Sequence, residues 1–139
     1  REAHTETIAR DSSSPVVKLD VSVPLPALED LIDAVDPVAA EYGARHIPFG
    51  HVADGNLHVN LLDVDPGRAA EVTDRVLRIV AGLGGSISAE HGVGRAKIPW
   101  LELSRSPADL AAMRTIKAAL DPHGLLNPGV LFGVNSSRE

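Results

Sequence analysis

Two imidazoles flank a tight turn in the segment GHVADGNLHVN, residues 50–60. His51 and His58 stand on either side of Asp54-Gly55, with Asn56 between them. Asp-Gly is a favoured hairpin dipeptide. Counted outward from a two-residue turn, it pairs Ala53 with Asn56, Val52 with Leu57 and His51 with His58. Directly opposed residues of an antiparallel pair share a face, with Cβ atoms about 4.5–5.5 Å apart, and alternation puts Asn56 on that same face. Two neutral imidazoles so placed can grip one divalent ion. On spacing alone, two surface histidines on a solvated hairpin face are the commoner arrangement. Asp54 is itself a possible ligand, although its place in the turn already accounts for it.

A second cluster shifts that balance. SAEHGVGRAK, residues 88–97, sets Glu90 and His91 where a strand runs out into glycines. The Glu90 carboxylate can serve as a third protein ligand, leaving coordination positions open for substrate or water. His91 beside it can take or give a proton near neutral pH. Gly92 and Gly94 allow close backbone approach, or simply make a turn. Lys18 reads as an exposed strand lysine and Arg1 as a chain-end residue. His4, His46 and His123 read as surface histidines without a partner pattern.

The elements that must position these groups follow from periodicity. VVKLDVSVP alternates strictly, sending Leu19, Val21 and Val23 one way and Lys18, Asp20 and Ser22 the other, as a half-buried strand does. Residues 25–43 carry helical spacing at Leu28, Leu31, Ile32 and Val35, which Pro37 interrupts or kinks. RHIPFGHV and NLHVNLLDV are the two hairpin strands. Pro66-Gly67 introduces a helix over 68–84 with Ala70, Val72, Val76, Leu77 and Val80 toward the core. GSISAE, residues 85–90, reads as a fourth strand. The order β-α-β-β-α-β predicts an α+β, ferredoxin-like antiparallel sheet with helices on one face. A C-terminal helix follows, with Ser106 as N-cap, Pro107 and Asp109 in the first turn, and Leu110, Met113, Ile116 and Leu120 facing inward. DPHGLLNPG stops it.

Composition bounds the function classes. The chain of 139 residues is one domain's worth, and its 44% apolar content suffices for a core that 3% aromatics leave largely aliphatic. A net charge of −6 with both signs interspersed argues against a nucleic-acid partner. The absence of cysteine removes thiolate metal sites, disulfides and thiol chemistry, and it fits a reducing compartment, so a cytoplasmic location is expected. No apolar run reaches transmembrane length; peripheral membrane association of a full-length protein is left open. The start at REAHTE, without Met, suggests a piece of something longer.

Together, GHVADGNLHVN, SAEHGVGRAK and IKAALDPHGLLNPGVLF resemble the C-terminal domain of FAD-linked oxidases of the vanillyl-alcohol-oxidase superfamily. The likeness is strongest to the D-2-hydroxyacid dehydrogenases, among them D-2-hydroxyglutarate dehydrogenase, D-lactate dehydrogenase and the glycolate oxidase flavin subunit. It runs across nearly the whole chain, with three motifs in order. It implies that His51, His58 and Glu90 hold a divalent metal, zinc or manganese, and that His91 contacts the substrate as its base. Asn56 would orient the substrate carboxylate, and Arg1, Thr5 and Lys18 match positions that hold substrate carboxylates. Ala53 departs from the family's usual glycine; it is small enough to leave the loop intact.

The resemblance also implies a reaction. Hydride would pass from the carbinol carbon of a 2-hydroxyacid to FAD, with the metal acidifying the hydroxyl and His91 accepting its proton. FAD would be bound mainly by a separate N-terminal domain not present in residues 1–139, so this piece alone would be inactive. Its partners would be a small 2-hydroxyacid, that flavin domain and an electron acceptor. A rival reading is a non-enzymatic ferredoxin-like module that binds a ligand or metal by itself. A plainer one is a structural domain with a decorative hairpin. An undistorted ferredoxin-like sheet strains the metal site, because it sets the hairpin tip and the end of the fourth strand at opposite ends.

Overall fold

The computed structural model describes residues 16–133. Arg1 and Thr5 therefore lie outside the described residues, as does His4. Strand β1 (Val17–Ser22) is followed by helix α1 (Leu28–Glu41), strands β2 (Arg45–His51) and β3 (Asn56–Leu62), and helix α2 (Ala69–Gly82). A 3-10 segment (Ile98–Leu103) leads to helix α3 (Pro107–Leu120). The strands form an antiparallel sheet in the order β1-β3-β2. Beyond β1, Ser86 makes a single antiparallel bridge to Ser22. This α+β arrangement, with segment 86 outside β1 and β3 between β1 and β2, is compatible with the ferredoxin-like reading.

Alternation builds the sheet's two faces. Val17, Leu19 and Val21 of β1 and Leu57, Val59 and Leu61 of β3 are buried in one apolar cluster. Leu31, Val35 and Val38 of α1 and Val72, Val76, Leu77 and Val80 of α2 close over them, each set at helical spacing. Ala70 falls outside the buried stripe. Helix α1 runs on through Pro37, which sits on its exposed side. The opposite sheet face carries Lys18, Asp20 and Ser22 against Asn60, His58 and Asn56.

Four local expectations need correction. First, the hairpin connection is wider than two residues. Val52–Asp54 form a 3-10 turn and Gly55 takes a left-handed φ of 71°, so His51 pairs with Asn56 and His58 with Phe49. His51 and His58 keep the same face but are not directly opposed. Second, the fourth strand shrinks to the Ser86 bridge. Asp20 O accepts from Ala89 N (3.4 Å), one residue beyond the Ser88 that an undistorted ladder would use, and the chain then turns away. Third, α3 buries only Leu110 of its expected stripe; Ile116 and Leu120 are exposed. Its start is as expected, with Ser106 and Asp109 forming a reciprocal capping box. Fourth, His46 is buried rather than on the surface, its Nδ1 2.7 Å from Asp36 Oδ1.

Gly55 makes the hairpin possible. Its left-handed backbone is costly for any residue with a Cβ, and a Cβ there would run into the Val23 carbonyl. Gly55 O in turn accepts from Val23 N (3.1 Å), tying the hairpin tip to the end of β1. Gly55→Ala is expected to destabilise the protein by about 2 kcal/mol or more, read as a lowered urea midpoint. A change within about 0.5 kcal/mol, the range of an ordinary surface substitution, would contradict this hairpin geometry.

Candidate metal and proton-transfer site

The polar sheet face is not a solvated one: Asp20, Asn56 and Asn60 are all buried. Asn60 uses its amide nitrogen on the main-chain oxygens of Ile47 (3.1 Å) and His58 (3.2 Å), satisfying itself within the sheet. Asn56 N donates to Asp54 Oδ1 (3.2 Å), which confirms the turn role of Asp54. The side-chain oxygen of Asn56 is buried without a hydrogen-bond partner among the described residues. Lys18 is exposed on this face, one cross-strand pair along from Asp20 and His58.

Four side chains converge where β1, β3 and the segment after Ser86 meet. Ligand atoms of Asp20, His58, Glu90 and His91 all lie within 4.8 Å of one another. His58 is central: its Nε2 is 3.4 Å from Glu90 Oε1 and its Nδ1 is 3.9 Å from Asp20 Oδ1. The imidazole lies against Phe49 at 4.9 Å between ring centroids and meets His91 edge-on at 5.8 Å. His91 Nε2 is 3.9 Å from Glu90 Oε1. Burial is graded, from Asp20 under the cluster, through His58, to Glu90 and the largely exposed His91.

The strain seen in an ideal sheet disappears because the fourth strand leaves the ladder early. His58 is the third cross-strand pair from the hairpin connection and lies opposite Asp20 of β1, while the wider connection brings His51 to the tip. Curtailing the fourth strand lets Glu90 and His91 turn over β1 at that same level, where their amides donate to Asp20 Oδ2 at 2.9 and 2.8 Å. Lys97 fixes the far end of the turn, donating from Nζ to Ile87 O (2.7 Å) and Asp20 O (3.0 Å).

Electrostatics favour an ionised Asp20. Burial by itself pushes its pKa up, but the amides of His91 and Glu90, with the charges of Lys97 and His91, outweigh it. The carboxyl is held below its ordinary value. Burial pulls the Lys97 ammonium below the ordinary lysine range, against the opposing attraction of Asp20. Asp20 Oδ1 is buried with no hydrogen-bond partner among the described residues. Two imidazoles and the Glu90 carboxylate gathered over the buried, anionic Asp20 suit a divalent cation, and this N/O donor set fits zinc or manganese.

Of the residues singled out from sequence, His58, Glu90 and His91 come together. His51 shares the face but lies outside the four-residue group. Asp20 and Lys97 join the site in addition to the residues expected from sequence. The signal for Asp20 was present: an acid at the centre of a strand whose neighbours Leu19 and Val21 are core residues.

The description "FAD linked oxidases, C-terminal domain" belongs to a family model that matches residues 1–131. A D-2-hydroxyglutarate dehydrogenase of Stutzerimonas stutzeri (strain A1501) is 39% identical over 95% of this chain and 30% of its own length. The mitochondrial D-2-hydroxyglutarate dehydrogenase of Bos taurus is 38% identical, over 92% of this chain and 24% of its own length. Glycolate oxidase subunit GlcD of Bacillus subtilis (strain 168) is 32% identical, over 99% and 30% respectively. The chain thus spans less than a third of the length of these relatives. With motifs, fold and matched span in agreement, the chain belongs to the FAD-linked oxidases, as a C-terminal domain of that family.

Proposed function

We propose that residues 1–139 are the substrate- and metal-binding part of an FAD-dependent dehydrogenase or oxidase that converts a D-2-hydroxyacid to its 2-oxoacid. The observation that carries this reading is the convergence of Asp20, His58, Glu90 and His91 on the sheet face away from the helices. Membership of the FAD-linked oxidases and the names of the relatives supply the reaction class. The family's description as the C-terminal domain of FAD-linked oxidases supports a flavin bound mainly by a separate N-terminal domain.

His58 and Glu90 would hold a divalent metal, zinc or manganese, with His51 as the further ligand that the resemblance implies. When bound, the metal supplies Lewis acidity toward the substrate hydroxyl, and the flavin accepts the hydride. His91 takes the hydroxyl proton at Nε2, the ring nitrogen facing the cluster, and Glu90 beside it steadies the imidazolium that results. Asn56 and Lys18 on the same face, with Arg1 and Thr5, would bind substrate carboxylate groups and so orient the carbinol carbon. Phe49 against His58 limits the ring's freedom to turn. An electron acceptor would then reoxidise the flavin, and the cytoplasm is the proposed compartment. No helix among the described residues is long and apolar enough to cross a membrane.

The test is anaerobic mixing of the intact flavoprotein with lactate, glycolate and 2-hydroxyglutarate, each chiral acid as separate enantiomers. Bleaching of the oxidised flavin band by at least one acid, with the D enantiomer preferred where the acid is chiral, is the expected result. An oxidised spectrum unchanged by the whole panel would sink the proposal.

A further inference from the structure

Asp20 is the only acid in β1, and at 7% exposure it is among the few buried charged groups of the described residues. Its two oxygens do different things. Oδ2 receives two consecutive amides, those of Glu90 and His91. Oδ1 receives none and lies on the Nδ1 side of His58, at 3.9 Å. The main-chain oxygen of the same residue holds Ala89 N and Lys97 Nζ. One residue of β1 therefore grips the 89–97 turn at four points while facing the back of the His58 ring.

The two edges of that ring point in opposite directions chemically. Nε2 looks toward Glu90 Oε1 and Nδ1 toward Asp20. With Nε2 turned to a cation beside Glu90, Nδ1 is the ring nitrogen left toward Asp20, whose Oδ2 is already engaged by two amides. Metal-bound histidines commonly donate their other ring N–H to a carboxylate, which fixes tautomer and orientation. We propose that Asp20 is a positioning residue of this kind, a reading that rests on the metal centre proposed above. Its Oδ2 fixes the Glu90–His91 turn, and its Oδ1 receives Nδ1–H of His58 when Nε2 engages a divalent metal. One carboxylate thereby sets the spacing between the ligand on β3 and the ligand and base on the turn.

The experiment uses the intact flavoprotein stripped of metal, with Zn²⁺ alone as probe. In the wild type, hydrogen exchange at the amides of Glu90 and His91 should be strongly protected, although both side chains sit at the surface. Exchange at the rate of an open loop overturns the proposal without recourse to any variant. Asp20→Asn keeps the shape of the side chain and one acceptor. It should weaken Zn²⁺ about 10–100-fold in competition with a chromophoric chelator, the usual cost of losing such a partner. The flavin spectrum should stay unchanged, the thermal midpoint of the metal-free protein should fall only modestly, and turnover should return when Zn²⁺ is raised to saturation. Wild-type affinity retained in Asp20→Asn overturns the role of Asp20 while leaving the metal centre standing. A wild-type protein that binds no Zn²⁺, and that His58→Ala does not alter, overturns the metal centre itself and this proposal with it.

Discussion

His58→Ala is expected to strip the intact protein of its divalent metal and to lower kcat/KM for its 2-hydroxyacid by about 10³-fold, roughly 4 kcal/mol of transition-state stabilisation. His58 is the one side chain of the cluster within 4 Å of both carboxylates, so removing its ring leaves Asp20 and Glu90 facing each other across the gap. Losing a ligand should cost more than the 10–100-fold typical of an outer partner. Metal content by mass spectrometry and flavin reduction by stopped flow give the two readouts. An unaltered flavin spectrum shows that the rest of the protein is intact. Full metal content with undiminished reduction would remove His58 from the site. The same assays on His51→Ala distinguish the ligand set that the resemblance implies from the group gathered around Asp20. A loss as deep as that of His58→Ala assigns His51 to the metal.

His91→Gln is expected to separate chemistry from binding. A positioned general base contributes about 10²–10⁴-fold, so kcat should fall within that range while metal content is unchanged and KM moves little. The imidazole is largely exposed and reaches Glu90 only at 3.9 Å, so its loss leaves the His58–Glu90 pair in place. A kcat within threefold of wild type would take the base role away from His91. A parallel collapse of metal content would make His91 a ligand instead.

The chain announces its helices and strands clearly where a single physical demand governs a segment. Alternation in β1 and the helical spacing of Val72, Val76 and Val80 each bury one face, and the structure follows them. Where two demands compete, the sequence misleads. Asp54-Gly55 marks the turn correctly but not its length, because a glycine with φ of 71° can be a central hairpin residue or the last residue of a longer connection. GSISAE reads as a strand until the amides of Glu90 and His91 find a side-chain carboxylate instead of a neighbouring main chain. That preference depends on a residue far back in the sequence. Helix α3 carries a convincing apolar stripe, yet only Leu110 is buried among the described residues.

The candidate site was legible in part for the same reason. His58, Glu90 and His91 stand out as residue types in suggestive company. Asp20 looks like one polar member of an alternating strand, and only the register, which sets it against His58, reveals its place. The register also converts an expected facing pair of histidines into neighbours offset along one face.

The hydrogen bonds from Glu90 and His91 to Asp20 span 70 and 71 residues of chain. No local fragment can rehearse that geometry, and contacts of such long sequence separation form late and slowly in folding. The cluster should exist only in the fully folded chain, so a cation that binds it recognises the native state and has little hold on the unfolded one. At a free concentration one hundred times its dissociation constant, such an ion adds about 2.7 kcal/mol to stability by mass action alone. The sheet would thus be both scaffold and beneficiary, its resistance to unfolding rising and falling with the metal supply.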